Sequence, residues 1–365
     1  MPVRVDSRLK RFLELCRASG FDGAIVVPGP NMRYLLDFTL EVFERPAFLL
    51  AGFDREPVMV VPQLDRDRVE EAIGRYCEVL PYGDGTGPWG FVERLLSGLS
   101  GVIGVESRTP VWLYRNLVQR APGLKFDIVD HVIVSMRLPK DPDEVVRHVM
   151  AARVLEEAML ETMAEFRPGM TERDAMTTFL RRCYDLGAES VYCLIQSGPN
   201  GANPHLEPTS RRIREGDAIV FDASVCYRGY YADFTRTFVL DRPDPEQERV
   251  FSVVLEAQQR ALDAIAVGVS AEEVDRAARS VIAHEGYASF FIHRTGHGLG
   301  VEVHEAPYIV EGDKSPLVSG MIFTIEPGIY LPGKFGVRLE DDVVLGSTGY
   351  ENTTKLPKAL SSASL

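Results

Sequence analysis

Apolar residues along this chain follow different rhythms in different stretches. In the first third, compact apolar runs at 23–28 (GAIVVP), 47–52 (AFLLAG), 57–62 (PVMVVP) and 102–106 (VIGVE) read as strands. Between them lie amphipathic helical stretches such as 8–19, so this part is expected to be an α/β layer domain. At 137–144 the sequence RLPKDPDE places two prolines and a charge run ahead of a long helical pattern. A boundary there divides the chain into an N-terminal α/β domain, 1–137, and a second domain, 138–365.

The second domain repeats itself. The stretch that begins Gly169, Met170, Thr171 recurs as Gly268, Val269, Ser270, ninety-nine residues on. Thr171 with Asp174, and Ser270 with Glu273, have the spacing of a capping box that opens a helix. Each helix is expected to close at a left-handed glycine sixteen residues beyond its cap, Gly187 in one half and Gly286 in the other. The same offset carries His205 onto His304. Two such halves facing each other would converge their acids on one central site.

Those acids end apolar strands. Gly216 to Asp222 reads GDAIVFD and Gly320 to Glu326 reads GMIFTIE, each a glycine, a mostly apolar run and then a carboxylate. Asp222 and Asp233 flank CYRGYY. A two-residue loop on Tyr227 and Arg228, or on Arg228 and Gly229, would put both acids on one face, roughly 5 to 8 Å apart. A three-residue loop would put them on opposite faces unless a bulge intervened. Glu326 and Glu340 flank LPGKFG and oppose each other if an odd-numbered loop is centred on Gly333. With His297, the set Asp222, Asp233, His297, Glu326 and Glu340 carries more negative charge than one divalent ion needs. That pattern points to a pair of hard or borderline cations sharing carboxylates, the centre of a binuclear metallohydrolase. Taken singly, a strand-end Asp is a turn former and a lone His a hydrogen-bonded surface or core residue. Taken together, four buried carboxylates without cations would be very costly.

Composition narrows the class. A hydrophobic fraction of 45% over 365 residues is ample for two packed cores. The net charge of −13 argues against nucleic acid or anionic membrane as a partner. No apolar run has the length of a membrane span and the start lacks a signal-peptide core, which predicts a cytoplasmic protein. Cys16, Cys77, Cys183, Cys193 and Cys226 have no CxxC spacing and are expected to be reduced thiols, with Cys226 near the hairpin turn as a candidate oxidation sensor.

Residues 139–365 resemble the creatinase, prolidase and aminopeptidase P branch of the methionine aminopeptidase superfamily, the α+β pita-bread fold with its internal pseudo-twofold repeat. The resemblance rests on SGPNGANPH (197–205), DASVCYRGYYADFTRTF (222–238), HRTGHGLGVEVHEAP (293–307), TIEPGIY (324–330) and VRLEDD (337–342). More weakly, NMRYLLDF (31–38) resembles the branch's N-terminal domain. The resemblance implies that Asp222, Asp233, His297, Glu326 and Glu340 hold two divalent ions, Mn²⁺, Co²⁺ or Zn²⁺, with Asp233 and Glu340 bridging. It implies substrate-binding or proton-handling roles for His205, His293, His304 and Arg338, with Glu326 as proton shuttle and His304 at the oxyanion. The implied reaction is hydrolysis of Xaa-Pro bonds, in a dipeptide or at the start of a longer peptide. The other readings are a non-peptide C–N hydrolase and an inactive binding module, the latter disfavoured by the intact ligand set. A homodimer is also implied, for which GPWGF (87–91) is a candidate contact or lid, or else a buried loop anchored by Trp89. Two positions depart from the branch: Ser224 stands where glycine is usual, and Leu206 follows His205 where a polar or aromatic residue is more common.

Overall fold

The computed structural model describes residues 5–41, 44–97 and 99–361. The chain divides into two compact units, 1–137 and 138–365.

The first unit is built on one six-stranded sheet. Its strands run in the order Glu78–Tyr82, Arg55–Pro62, Phe48–Gly52, Gly23–Val26, Gly101–Val105, Leu124–Ile128. The central pairings around Phe48–Gly52 are antiparallel and the outer ones parallel, so helices bridge the parallel crossovers. Ile25, Leu50, Val60 and Ile103 are buried in its core, which is why these strands read as unbroken apolar runs. GPWGF opens the helix Trp89–Leu96, where Trp89 packs against this core and the Arg120 guanidinium lies 4.6 Å from its ring centre.

The second unit is two copies of one plan. In the first half, helices Pro142–Met163 and Glu172–Asp185 pack behind an antiparallel sheet of Ser190–Ser197, Ala218–Tyr227 and Tyr230–Val239. In the second, helices Pro245–Asp263 and Ala271–His284 back a sheet ordered Glu305–Ile309, Gly296–Gly298, Ile322–Ile325, Asp341–Leu345, Tyr350–Asn352. A separate hairpin, Gly328–Leu331 with Phe335–Arg338, completes that half. Capping boxes form at Thr171 with Asp174 and at Ser270 with Glu273, and Gly187 and Gly286 close the helices at φ 90° and 83°.

The repeat extends to tertiary hydrogen bonds. Gly169 N donates to Ile213 O at 2.9 Å and its counterpart Gly268 N to Leu317 O at 2.8 Å. Thr171 bridges Arg212 and Ser270 bridges Pro316 in the same way. One sequence expectation is corrected: the GDAIVFD strand does not end at its acid. It continues to Tyr227, so Asp222 lies mid-strand. The continuation is what carries the chain to the turn that brings Asp233 back.

Candidate active site

Two hairpins aim the acids. In the first, Tyr227 pairs with Tyr230, leaving Arg228 and Gly229 as a two-residue loop. Both have positive φ, 49° and 79°, as in the type I′ turn whose twist matches paired strands. That register sets Ser224 opposite Asp233 and Asp222 opposite Thr235. Asp222 and Asp233 are therefore diagonal neighbours on one face, one of the two arrangements the turn chemistry allowed. Ser190–Ser197 adds Tyr192 and Leu194 to that face, opposite Ser224 and Asp222.

The second hairpin keeps one register across two sheets. Around Gly333, at φ 74°, Leu331 faces Phe335 and Gly328 faces Arg338, and further out Ile325 faces Asp341. Glu326 and Glu340 stand across from each other in the break between those paired stretches, as the odd-numbered loop requires. The break frees their backbones for other partners: Glu326 N donates to Thr295 O at 2.7 Å and Glu340 N to Thr235 O at 3.1 Å. His297 arrives on Gly296–Gly298, whose chain runs against Thr324 so closely that a Cβ on Gly296 would lie 1.9 Å from Thr324 O.

The five side chains meet. His297 Nε2 is 3.3 Å from Glu326 Oε1 and 3.8 Å from Asp233 Oδ2. Two overlapping sets, His297 with Glu326 and Glu340, and Asp222 with Asp233 and Glu340, each offer ligand atoms within 4.8 Å of one another. A third set joins Asp233 and His297 to His304, whose ring meets that of His297 edge-on at 4.2 Å. Thr235 Oγ1 donates to Glu340 Oε2 at 2.6 Å, and Thr324 Oγ1 to Glu326 Oε1 at 3.3 Å.

Electrostatics make this cluster unusual. Burial first, then the charges of its neighbours, pushes the carboxyls of Asp233 and Glu340 well above their ordinary range, and burial raises Glu326 to about 7. Burial, with help from His304 and Arg294, holds His297 neutral. Arg338 is the cation bonded into the acid set, at 2.6 Å from Asp222 Oδ2, and it cannot balance four acids. Two divalent cations would, and oxygen donors with one imidazole suit hard or borderline ions. The residues present therefore fit a two-ion centre.

The remaining predicted residues border a cavity of about 720 Å³ that contains the acids. His205 and His304 are exposed on its rim. His293 is half-buried with both ring nitrogens engaged. Its Nδ1–H donates to Arg294 O at 2.7 Å, because a carbonyl only accepts, and Nε2 accepts from the Tyr330 hydroxyl at 2.8 Å. Tyr330 in turn accepts from Arg338 Nη1 at 2.8 Å, and Arg338 Nε reaches Thr235 Oγ1 at 3.1 Å. Arg338 thus has all three nitrogens on protein groups. Arg294 lines the same cavity, its guanidinium lies 4.7 Å from the Tyr308 ring centre, and that guanidinium forms no hydrogen bond with a described residue. Sequence reasoning missed Tyr192, Thr235, Tyr330 and Asp342, which accepts the Asp233 N–H at 3.0 Å. Only Thr235 and Asp342 carried a signal, each two residues beyond a flagged acid.

Comparison with known proteins identifies the family. The model of the creatinase/prolidase N-terminal domain matches residues 8–138, and that of metallopeptidase family M24 matches residues 148–347. The chain is 34% identical to a probable dipeptidase PepE of Mycobacterium tuberculosis, over 94% of this chain and 92% of that one. It is 30% identical to an Xaa-Pro dipeptidase of Pyrococcus horikoshii over 98% and 99%. Among solved structures, a recombinant prolidase from Thermococcus sibiricus superposes with TM-score 0.94 at 35% identity, covering 99% of this chain and 100% of that one. An X-Pro aminopeptidase from Thermotoga maritima does so with TM-score 0.85 at 31% identity, covering 97% and 99%. Matched along almost its whole length, the chain belongs to metallopeptidase family M24, with a creatinase/prolidase N-terminal domain ahead of the catalytic one.

Proposed function

We propose that this protein is an Xaa-Pro dipeptidase using two divalent ions held by Asp222, Asp233, His297, Glu326 and Glu340. The observation that carries the reading is a buried acid cluster sharing one cavity with an uncommitted guanidinium, Arg294. Mn²⁺ or Co²⁺ suits the oxygen-rich set best, with Zn²⁺ as the alternative. Asp233 and Glu340, the carboxylates that occur in two of the candidate ligand sets, would be shared between the ions. Bound there, the ions supply a nucleophilic water at neutral pH and polarise the scissile carbonyl.

The chain's own groups do the rest. Glu326, on the cavity wall, carries the proton from the attacking water to the proline nitrogen, which must be protonated as it leaves because an X-Pro amide has no N–H. His304 donates to the developing oxyanion, and His205 holds the prolyl side. His293 and Tyr330 orient Arg338, which braces Asp222. Arg294, preset by stacking on Tyr308, takes the free prolyl carboxylate.

Steady-state kinetics on Ala-Pro, its C-terminal amide and Ala-Pro-Ala test this. A dipeptidase loses on the order of 10-fold or more in kcat/KM on the amide, as one charge-assisted bond of about 1.5–3 kcal/mol disappears. Equal or better cleavage of the tripeptide would reassign the chain to aminopeptidase action, the activity for which the Thermotoga maritima neighbour is named. No cleavage of any of the three would leave the non-peptide C–N hydrolase.

The proposed setting is a cytoplasmic homodimer with no nucleic-acid or membrane partner. A net charge of −13 supports the last point, and no helix of the described residues is long and apolar enough to cross a membrane. Light scattering of the metal-loaded protein checks assembly, and a monomeric mass would discard the dimer.

A further inference from the structure

His205 reaches the cavity rim on a strap whose two ends are fastened from below. The strap leaves the strand Ser190–Ser197, turns through the short helix Gly198–Ala202 and returns at Thr209. Glu172, fully buried in the first turn of the helix Glu172–Asp185, takes both ends at once. Its carboxylate accepts the Ser197 N–H and hydroxyl at 2.7 Å, Asn200 Nδ2 at 3.0 Å, and Thr209 N and Oγ1 at 2.9 and 2.6 Å. Gly336 lets the strap lie against the hairpin of the second half, since a Cβ there would stand 1.9 Å from Gly201 O.

The middle of the strap is held by one side chain. Gln196 lies two residues beyond Leu194 on the same face of its strand, across from Val220, and is completely buried. Its Nε2 donates to Pro204 O at 3.2 Å and to Leu206 O at 2.9 Å, so the two bonds sit astride His205. Carbonyls only accept, which fixes the amide with its nitrogen toward the strap and leaves Oε1 buried without a partner among the described residues. One bond holds the peptide plane entering His205, the other the plane leaving Leu206. Leu206 N adds a tie to Asn203 O at 3.1 Å. The His205 side chain is exposed, so the backbone rather than packing gives it its direction.

We infer that Gln196 is a positioning residue for substrate binding, aiming His205 at the prolyl side through its two amide hydrogens, an inference that rests on the dipeptidase reading and the role it gives His205. Glu172 anchors the strap, and Gln196 sets where its centre points.

A double-mutant cycle on Ala-Pro with metal-loaded protein tests this: wild type, Gln196→Met, His205→Ala and the pair, each measured for kcat, KM, bound metal and thermal midpoint. Met nearly keeps the length and volume of Gln and donates nothing. Gln196→Met is expected to raise KM by about 5- to 20-fold, with kcat within about twofold and metal content unaltered, the pattern of lost uniform binding. In the His205→Ala background the same substitution should change KM by less than about twofold. If Gln196→Met does not fold, Gln196→Ala carries the same expectation. An equal effect in both backgrounds, an unchanged KM in the otherwise wild-type protein, or a fall in bound metal would each overturn the assignment. So would an unchanged KM in His205→Ala alone, which leaves Gln196 nothing to aim. Failure of the metal-loaded wild type to cleave Ala-Pro would instead remove the dipeptidase reading, and this inference with it.

Discussion

Asp233 has Asp222 beside it on the sheet, Asp342 behind its backbone N–H and Glu326 within its field. A carboxylate so placed is held in the ionised form by cations or not at all. Substituting Asp233 or Glu340 by Ala is accordingly expected to leave fewer than two ions per chain by elemental analysis. If either variant keeps both, it is not a shared ligand. His304 differs, since it stands on the rim against His297. His304→Ala should retain both ions and lose about 10²-fold in kcat, the usual cost of removing one oxyanion donor. At this scale the sequence was informative wherever a residue's role follows from its own strand, as for Asp222, Asp233, Glu326 and Glu340. It was silent on Tyr330, whose partners His293 and Arg338 come from other segments, and on Tyr192, which reaches the cavity only through pairing with Ser224.

At the level of elements, turn chemistry sets the site. The loop of Arg228 and Gly229 needs two left-handed residues, and the asparagine or glycine usual at its first position is replaced by Arg228 at φ 49°. Gly229→Ala adds a second strained residue and should lower stability by about 1 kcal/mol in urea melts, with metal content retained because the ten-residue strands hold the register. Two unchanged melting curves would show that the turn does not constrain the hairpin. The capped helices, their terminal glycines and the register around Gly333 were legible because each depends on residues within one short window, whereas the first hairpin was narrowed only to two two-residue loops, of which Arg228 and Gly229 form the one present. The continuation of the first acidic strand past Asp222 was not, because its apolar pattern breaks at Ser224, a residue kept for the cavity rather than for the core.

For the whole molecule, His148 shows how the site is anchored from behind. It is fully buried on the long helix Pro142–Met163, with Nδ1 bonded to Tyr231 O at 2.9 Å and Nε2 to Thr353 Oγ1 at 3.0 Å. Burial lowers its pKa from 6.5 to about 4. The unfolded chain takes up this proton near pH 6.5 and the folded chain only near pH 4. The stability this neutral ring contributes is therefore complete above pH 6.5 and falls away as the pH drops toward 4, by about 3 kcal/mol. Urea unfolding of wild type and His148→Gln across that window should show the steeper decline in wild type. Parallel curves would mean that other groups dominate acid unfolding. The five cysteines are all buried and none is in a disulfide, and burial raises the thiols of Cys16, Cys77 and Cys183 to about 12, which makes them poor nucleophiles. Cys226 is buried too, 3.8 Å from Glu189 Oε2, a setting of packing.

The proposed ligands are divided between the two copies of the fold. Asp222 and Asp233 belong to the first copy of the repeat, and His297, Glu326 and Glu340 to the second, and a largely exposed stretch from Asp241 to Asp244 connects the copies. Across that division Arg236 bonds Asp341, Glu340 O and Leu356 O, and Thr237 bonds Arg338 O. A break in the chain between Arg242 and Pro243, introduced in the gene, would then cut a tether and leave this seam intact. Two separately produced fragments, 1–242 and 243–365, each hold too few donors for a two-ion centre. Mixed, they should regain bound metal and peptidase activity with a rate that rises with fragment concentration, so that the ions themselves become the signal that two strangers have found each other.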